Sequence, residues 1–218
     1  MAFITVGPPI AVRTHPAASI LKRSFDVMVA AVALAVLLPI GAVLATIIFV
    51  TSPGRITFRQ RRIGLYGESF PIIKFRTMVR DAETRLQTDP ELHAVYLANN
   101  HKVPAELDTR VTRLGRFLRS TSLDEIPQFW NVLVGHMSLV GPRPVVPGEI
   151  ERYGRFTSVY ESVRPGLTGL WQCSGRSEVS YDERVRMDVE YVENWTLWTD
   201  IVILLKTIPA VLRRHGAH

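Results

Sequence analysis

The longest feature of the hydrophobic pattern is a segment without a polar face. From Val27 to Gly54 there is no charged residue, and 27–50 reads VMVAAVALAVLLPIGAVLATIIFV. As a helix at about 1.5 Å per residue it reaches about 36 Å, against about 30 Å for a bilayer's hydrocarbon core. A buried core helix of a soluble domain would keep a polar stripe for water, and this segment has none. Its length, with no small-residue cleavage site after it, argues against a removable leader. Pro39 and Gly41 interrupt the run. Proline deletes a backbone hydrogen bond and clashes with the preceding turn, so a kink is expected there. Basic residues flank both sides: Lys22 and Arg23 before, Arg55, Arg59, Arg61 and Arg62 after. The positive-inside rule then names no outside end. A hairpin that dips in and returns satisfies both flanks, and a kinked span is the other reading.

The rest of the chain shows shorter periods. Residues 1–20 hold Pro8, Pro9 and Pro16 without periodicity and read as a loose tail. Ile56, Phe58 and SFPIIKF at 69–75 read as short strands around a Gly64/Gly67 turn. Helices are expected over 81–86, over 90–100 with Asp89 as cap and Pro90 first, and over 110–119. Further helices are expected over 125–133, 181–194 and 200–214, with a proline-rich loop over 135–148. The expected class is an α-rich α/β membrane protein with a few short strands. It divides into a tail (1–20), a membrane helix (21–52), a catalytic domain (53–196) and a C-terminal amphipathic helix with its tail (197–218).

Composition excludes several classes. Hydrophobic residues make up 47% of the 218, too many for a disordered chain. The single cysteine, Cys173, rules out a disulfide scaffold and a cysteine-rich zinc site. The net charge of +6 points to anionic partners: nucleic acid, anionic lipid or phosphorylated small molecules. No nucleic-acid motif, phosphate-binding glycine loop or paired-histidine metal motif is present.

Three places could carry chemistry. Ser122-Leu123-Asp124-Glu125 has the spacing of a capping box, in which Ser122 caps a helix and Glu125 reaches back. The same two carboxylates could hold magnesium, or supply one nucleophile and one metal ligand. Gly141-Pro142-Arg143-Pro144 holds an arginine between two prolines, either a stiff phosphate grip or a plain turn with a solvated arginine. Arg110, Arg113, Arg116 and Arg119 recur every third residue and so drift by about 60° per step around a helix. They cannot all serve one ligand, and Arg119 lies nearest Asp124. Lys74 and Arg176 are weaker candidates of the same kind.

The order of motifs then resembles a known family. KRSFD precedes the apolar segment with its internal proline. After it come SPG, FRQRRIG, KFRTM, STSLDEIPQFWNVLVGHMSLVGPRP, RPGLTGLWQ with SGR, and YVENWTLWTDIVILLKT. These strings resemble the bacterial sugar transferases, the monotopic polyprenyl-phosphate phosphoglycosyl transferases, from about Lys22 to the C-terminus. The resemblance implies transfer of a hexose-1-phosphate, glucose or galactose, from a UDP-sugar to undecaprenyl phosphate with release of UMP. It implies magnesium, Asp124 as nucleophile and Glu125 as metal ligand. It places Lys74, Arg119, Arg143, Arg176 and Asp200 around the substrate. It also implies a re-entrant helix broken at Pro39, and a catalytic domain on the cytoplasmic face of the bacterial inner membrane. A homo-oligomer is compatible with the sequence. The competing class is a non-catalytic, membrane-anchored basic scaffold.

Overall fold

A computed structural model describes residues 16–99, 103–104, 106–174 and 179–212. Helix α1 runs from Pro16 to Thr51. It starts earlier than the proline-rich tail suggested, because proline is well suited to a first helical turn. Residues 1–15 of the expected tail lie outside the described residues. Pro39 lies inside α1 and does not end it, so the expected break is absent from the helix assignment. A proline can kink a helix without terminating it. Val32, Val36, Leu38, Ile40 and Val43 are exposed around this point. One long apolar helix, largely uncovered by the rest of the chain, fits a membrane-anchored protein.

The motif KRSFD ties the start of α1 to the folded domain. The domain contributes α5 (Gln128–Val134), β3 (Ser138–Val140) and α9 (Leu197–Leu212). Arg23 donates to the carbonyls of Val132 and Leu133 at the end of α5, at 2.7 and 2.8 Å. Carbonyls at a helix end lack the partner of an ordinary helical turn, although Val132 O also accepts from Gly135 N at 3.1 Å. Asp26 is buried and accepts from Leu139 N at 3.2 Å. Lys22 donates to Val140 O at 3.1 Å and to Asp200 Oδ2 of α9 at 2.6 Å. Asp200 is fully buried, and its other oxygen accepts from Tyr191 Oη at 2.7 Å. Removing Lys22 strands a buried charge, so Lys22→Met is expected to cost about 3 kcal/mol of stability. Adding Asp200→Asn should recover most of the loss, read as thermal unfolding of both variants in detergent.

Strands β1 (Thr57–Ile63) and β2 (Ser69–Phe75) form an antiparallel hairpin, with Phe58 opposite Lys74 and Arg62 opposite Phe70. Its period of two separates Arg62, Ile72 and Lys74 on one face from Thr57, Arg59 and Phe75 on the other. Helices α2 (Ala82–Thr88) and α3 (Pro90–Ala98) follow, the latter capped by Asp89 as expected. The expected helix over 110–119 begins later. Thr112 caps α4 (Arg113–Ser120), and Arg110 stays outside it in a bidentate pair with Asp108 at 2.8 and 2.9 Å. Gly115 of α4 lies so close to Thr77 that a Cβ there would come within 1.9 Å of Thr77 O.

Strand β3, inside the expected proline-rich loop, pairs in parallel with β4 (Gly166–Thr168). The two segments touch backbone to backbone. A Cβ on Gly166 would sit 2.1 Å from Gly141 N. A ten-residue 3-10 segment (Pro147–Phe156), α6 (Thr157–Glu161), α7 (Leu170–Ser174) and α8 (Tyr181–Glu193) close the domain. Its core gathers Val132, Met137, Leu139, Tyr160, Val189 and Ile203 around Ala30 of α1. A second core packs Leu44 and Ile48 of α1 on Phe75, Leu118 and Ile126. Helix α9 buries Asp200 and Ile203 and leaves Trp198, Leu205 and Ile208 exposed, an apolar outer face consistent with an interfacial helix.

One buried carboxylate makes the core sensitive to pH. Asp188 of α8 accepts from Tyr153 Oη at 2.7 Å, and burial pushes its carboxyl up to about 7. The folded protein therefore holds this proton more tightly than the unfolded chain. Asp188's stabilisation is complete below the usual aspartate range and declines as pH rises towards 7. Asp188→Asn should flatten that slope in melting curves taken between pH 5 and 8.

Candidate active site

The chain between α4 and α5 makes one 3-10 turn, Leu123–Glu125, and Pro127 separates it from α5. Proline lacks the N–H that would continue the expected helix through 125–133. Ser122 does not cap this turn. Its φ of 57° is left-handed, and its side chain makes no cap hydrogen bond. The capping box read at Ser122 and Glu125 is therefore absent. A box of that type occurs at Ser180 and Glu183 of α8. A serine in this sparsely populated region stores strain of about 1–3 kcal/mol, a feature that clusters at functional sites.

The turn puts two carboxylates side by side in different surroundings. Asp124 is buried. Glu125 Oε1 accepts from Lys74 Nζ at 2.6 Å. Lys74 reaches it from the β2 face that also carries Arg62 and Ile72. Burial, and then the negative charge of Glu125, push the Asp124 carboxyl up to about 6, against the pull of Lys74 and Arg119. Burial acts to raise Glu125 as well, but the charge and hydrogen bond of Lys74, with Arg143, hold it below the usual range. At neutral pH Asp124 is thus a desolvated carboxylate, less masked by hydrogen-bond donors than Glu125. Arg119 stands nearby because α4 rests on Thr77, where Arg119 Nε donates to Thr77 Oγ1 at 2.9 Å. Burial lowers the Arg119 pKa, and Asp124 opposes that shift.

Arg143 enters from the other side. Its loop is clamped by Gly166 N donating to Pro142 O at 2.8 Å and by Arg62 Nη1 donating to Pro144 O at 2.9 Å. The side chain is exposed, and among the described residues it makes no hydrogen bond or ion pair. Arg62, Lys74, Glu125, Gln128 and Arg143 line one cavity. Among the described residues, Arg62 Nε is a buried donor there without a partner. Buried donors are nearly always satisfied, so one left open beside Lys74 and Arg143 fits an oxyanion ligand.

Of the residues expected at the site, Asp124, Glu125, Lys74, Arg119 and Arg143 come together. Arg176 lies outside the described residues. Asp200 does not join them as a substrate ligand. It has no exposed surface, and its two oxygens are taken by Lys22 and Tyr191. Its role here is to hold α9 to α1. Arg62 and Gln128 were missed. Arg62 shares a strand face with Lys74 only once the hairpin register is known. Gln128 opens α5, and its place beside Glu125 in the cavity depends on the turn before it.

Fold and site together give a long, largely uncovered apolar helix and an acidic pair beside a cavity lined by Arg62, Lys74 and Arg143. Residues 17–214 match the family of bacterial sugar transferases, and the chain belongs to that family. It is 47% identical over 204 residues to a UDP-galactose-lipid carrier transferase of Erwinia amylovora, covering 91% of this chain and 42% of that protein. It is 43% identical over 208 residues to the exopolysaccharide production protein ExoY of Rhizobium meliloti, covering 94% of this chain and 91% of that one. A UDP-glucose:undecaprenyl-phosphate glucose-1-phosphate transferase of Escherichia coli is 37% identical over 200 residues, with 87% of this chain and 39% of that protein covered. The chain thus spans about two fifths of the longer relatives and nearly all of the shorter one.

Proposed function

We propose that this protein transfers a hexose-1-phosphate, galactose or glucose, from a UDP-sugar to undecaprenyl phosphate, as an early membrane step of exopolysaccharide or O-antigen synthesis. The observation that carries the proposal is the pairing of Asp124 with Glu125 beside a cavity lined by Lys74, Arg143, Arg62 and Gln128. An oxygen of Asp124 attacks the β-phosphorus of the donor. The bond from that phosphorus to the bridging oxygen breaks, and UMP leaves with the electron pair. A sugar-phosphoryl aspartate remains. An oxygen of the lipid phosphate then attacks the same phosphorus and displaces the Asp124 carboxylate, giving the lipid diphosphate sugar. Splitting the transfer lets one buried carboxylate serve both donor and acceptor. The cations neutralise phosphate oxygens that would otherwise repel it.

Magnesium fits the residues present. It commonly takes one or two carboxylates together with substrate phosphates. Among the described residues no three acidic, histidine or cysteine side chains form a cage of their own. Glu125 is the proposed ligand, with Asp124 adjacent. When bound, the ion supplies positive charge at the donor's diphosphate.

In this reading α1 is re-entrant and both its ends face the cytoplasm, at the inner membrane. Support comes from packing on both sides of Pro39. Arg23, Asp26 and Ala30 touch the domain before it, and Gly41, Leu44 and Ile48 after it. A helix leaving through the far leaflet would meet the domain at one end. The flanking cations agree, since positive residues stay inside. Reporter tags after Met1 and after His218 should both report cytoplasm, and a periplasmic N-terminal tag would reject the hairpin.

The reaction is tested with protein held in nanodiscs, undecaprenyl phosphate, magnesium and a panel of UDP-sugars. UMP release with UDP-galactose or UDP-glucose, lost with EDTA, supports the reading. No release with any sugar from folded protein favours the scaffold instead.

A further inference from the structure

A second cavity lies on the opposite face of the β1–β2 hairpin. It is lined by Arg55, Arg59, Arg76 and Arg80 on one side and by Ala45, Ile56 and Phe75 on the other. Among the described residues, no acidic side chain lines it. Thr57, Arg59 and Phe75 of its lining share the strand face opposite Arg62, Ile72 and Lys74, while Phe58 lines it from the same face as Lys74. The two cavities share no lining residue.

The four arginines are not used up by the fold. Arg76 donates to Ser52 O through one guanidinium nitrogen, and among the described residues its buried Nε has no partner. Arg55, Arg59 and Arg80 are exposed, and among the described residues none is in an ion pair. Arg76 and Arg80 converge on Gly54, where a Cβ would meet Arg76 Nη1 at 2.8 Å and Arg80 Cδ at 3.8 Å. Four like charges gathered without a counter-ion repel one another unless an anion joins them.

Position identifies the anion. The cavity begins where α1 ends, and Ala45 of α1 forms part of its wall. If α1 lies in the bilayer, as proposed above, its end and these arginines sit at headgroup level. Arginines there bind anionic headgroups, while the apolar side can lie along the start of an acyl chain.

We infer that this cavity is a binding site for the headgroup of an anionic membrane phospholipid, such as phosphatidylglycerol, separate from the site of transfer. Such a lipid would fix the height and tilt of the hairpin relative to the membrane surface. That would keep the acidic pair level with the acceptor's phosphate.

The test needs no catalysis, so failure of the transferase reading leaves it intact. The full chain in neutral detergent is titrated with phosphatidylglycerol, phosphatidylcholine and undecaprenyl phosphate. Retained lipid is read by native mass spectrometry. The wild type should retain phosphatidylglycerol at least about tenfold more tightly than phosphatidylcholine. The combined variant Arg55→Gln, Arg59→Gln, Arg80→Gln should lose about a hundredfold of that affinity, since each basic group near a headgroup contributes about a factor of five. Arg55→Lys, Arg59→Lys, Arg80→Lys keeps the charge and should keep most of the binding. Equal retention of the two phospholipids, or no loss in the glutamine variant, overturns the inference. Loss of undecaprenyl phosphate rather than phosphatidylglycerol in that variant also overturns it, and assigns the cavity to the acceptor. Unchanged melting of lipid-free variants shows that folding is not the cause.

Discussion

Asp124→Asn is expected to lower the rate of UMP release by about a thousandfold or more, while the protein still folds and inserts. The size follows from the role. An amide has no anionic oxygen to form the bond to phosphorus, and no other carboxylate occupies its position. Glu125 is the next residue but is held by Lys74 at 2.6 Å, with its negative charge already balanced. Asp124 is the buried member of the pair, and the one whose carboxyl is raised. Asparagine preserves its shape and removes a repulsion with Glu125, so the variant should melt at or slightly above the wild-type temperature. Lost activity with unchanged melting separates chemistry from folding. Retained turnover in Asp124→Asn would remove the covalent step.

The second large effect comes from a glycine outside the cavity. Gly115→Ala places a methyl group where Thr77 O already stands, at 1.9 Å from the new carbon. The obstacle is backbone, so no rotamer change relieves it. Helix α4 must lift from Thr77, which breaks the hydrogen bonds from Thr112 N and from Arg119 Nε to that residue. Leu118, fully buried in the second core, moves with it. The expected loss is about 3 kcal/mol, at the upper end for overpacking. Because α4 carries Arg119, activity should fall beyond what the lost folded fraction explains. Arg116→Ala, on the exposed side of the same helix, is the control and should leave both stability and rate near wild type.

What the sequence made legible was local. The apolar run, the strand pair around Gly64 and Gly67, and the cap of α3 by Asp89 each follow from a few neighbouring residues. The motifs around Asp124 and Arg143 mark the places where chemistry is possible and leave a capping box and a plain turn open as alternatives. The rest depended on partners distant along the chain. The parallel β3–β4 pair joins residues from 138 and 166 onward, and its glycines have no meaning until the two backbones touch. Asp200 is placed near the substrate by the family resemblance alone. Its buried contact with Lys22 crosses almost the whole chain, which no spacing rule exposes. Ser122 had the right neighbours for a cap, but a left-handed backbone overrode the motif. Arg62 and Gln128 became visible only when the hairpin register and the turn were in place.

The central claim is that Asp124 becomes covalently loaded. The direct measurement is intact and peptide mass spectrometry of the protein mixed with magnesium and UDP-galactose or UDP-glucose, without lipid acceptor and quenched in acid. The account predicts an added hexose phosphate on the peptide bearing Asp124, stoichiometric UMP, and discharge of the adduct when undecaprenyl phosphate is added. UMP formed only in the presence of the lipid, with no adduct on Asp124 at any time, would contradict it.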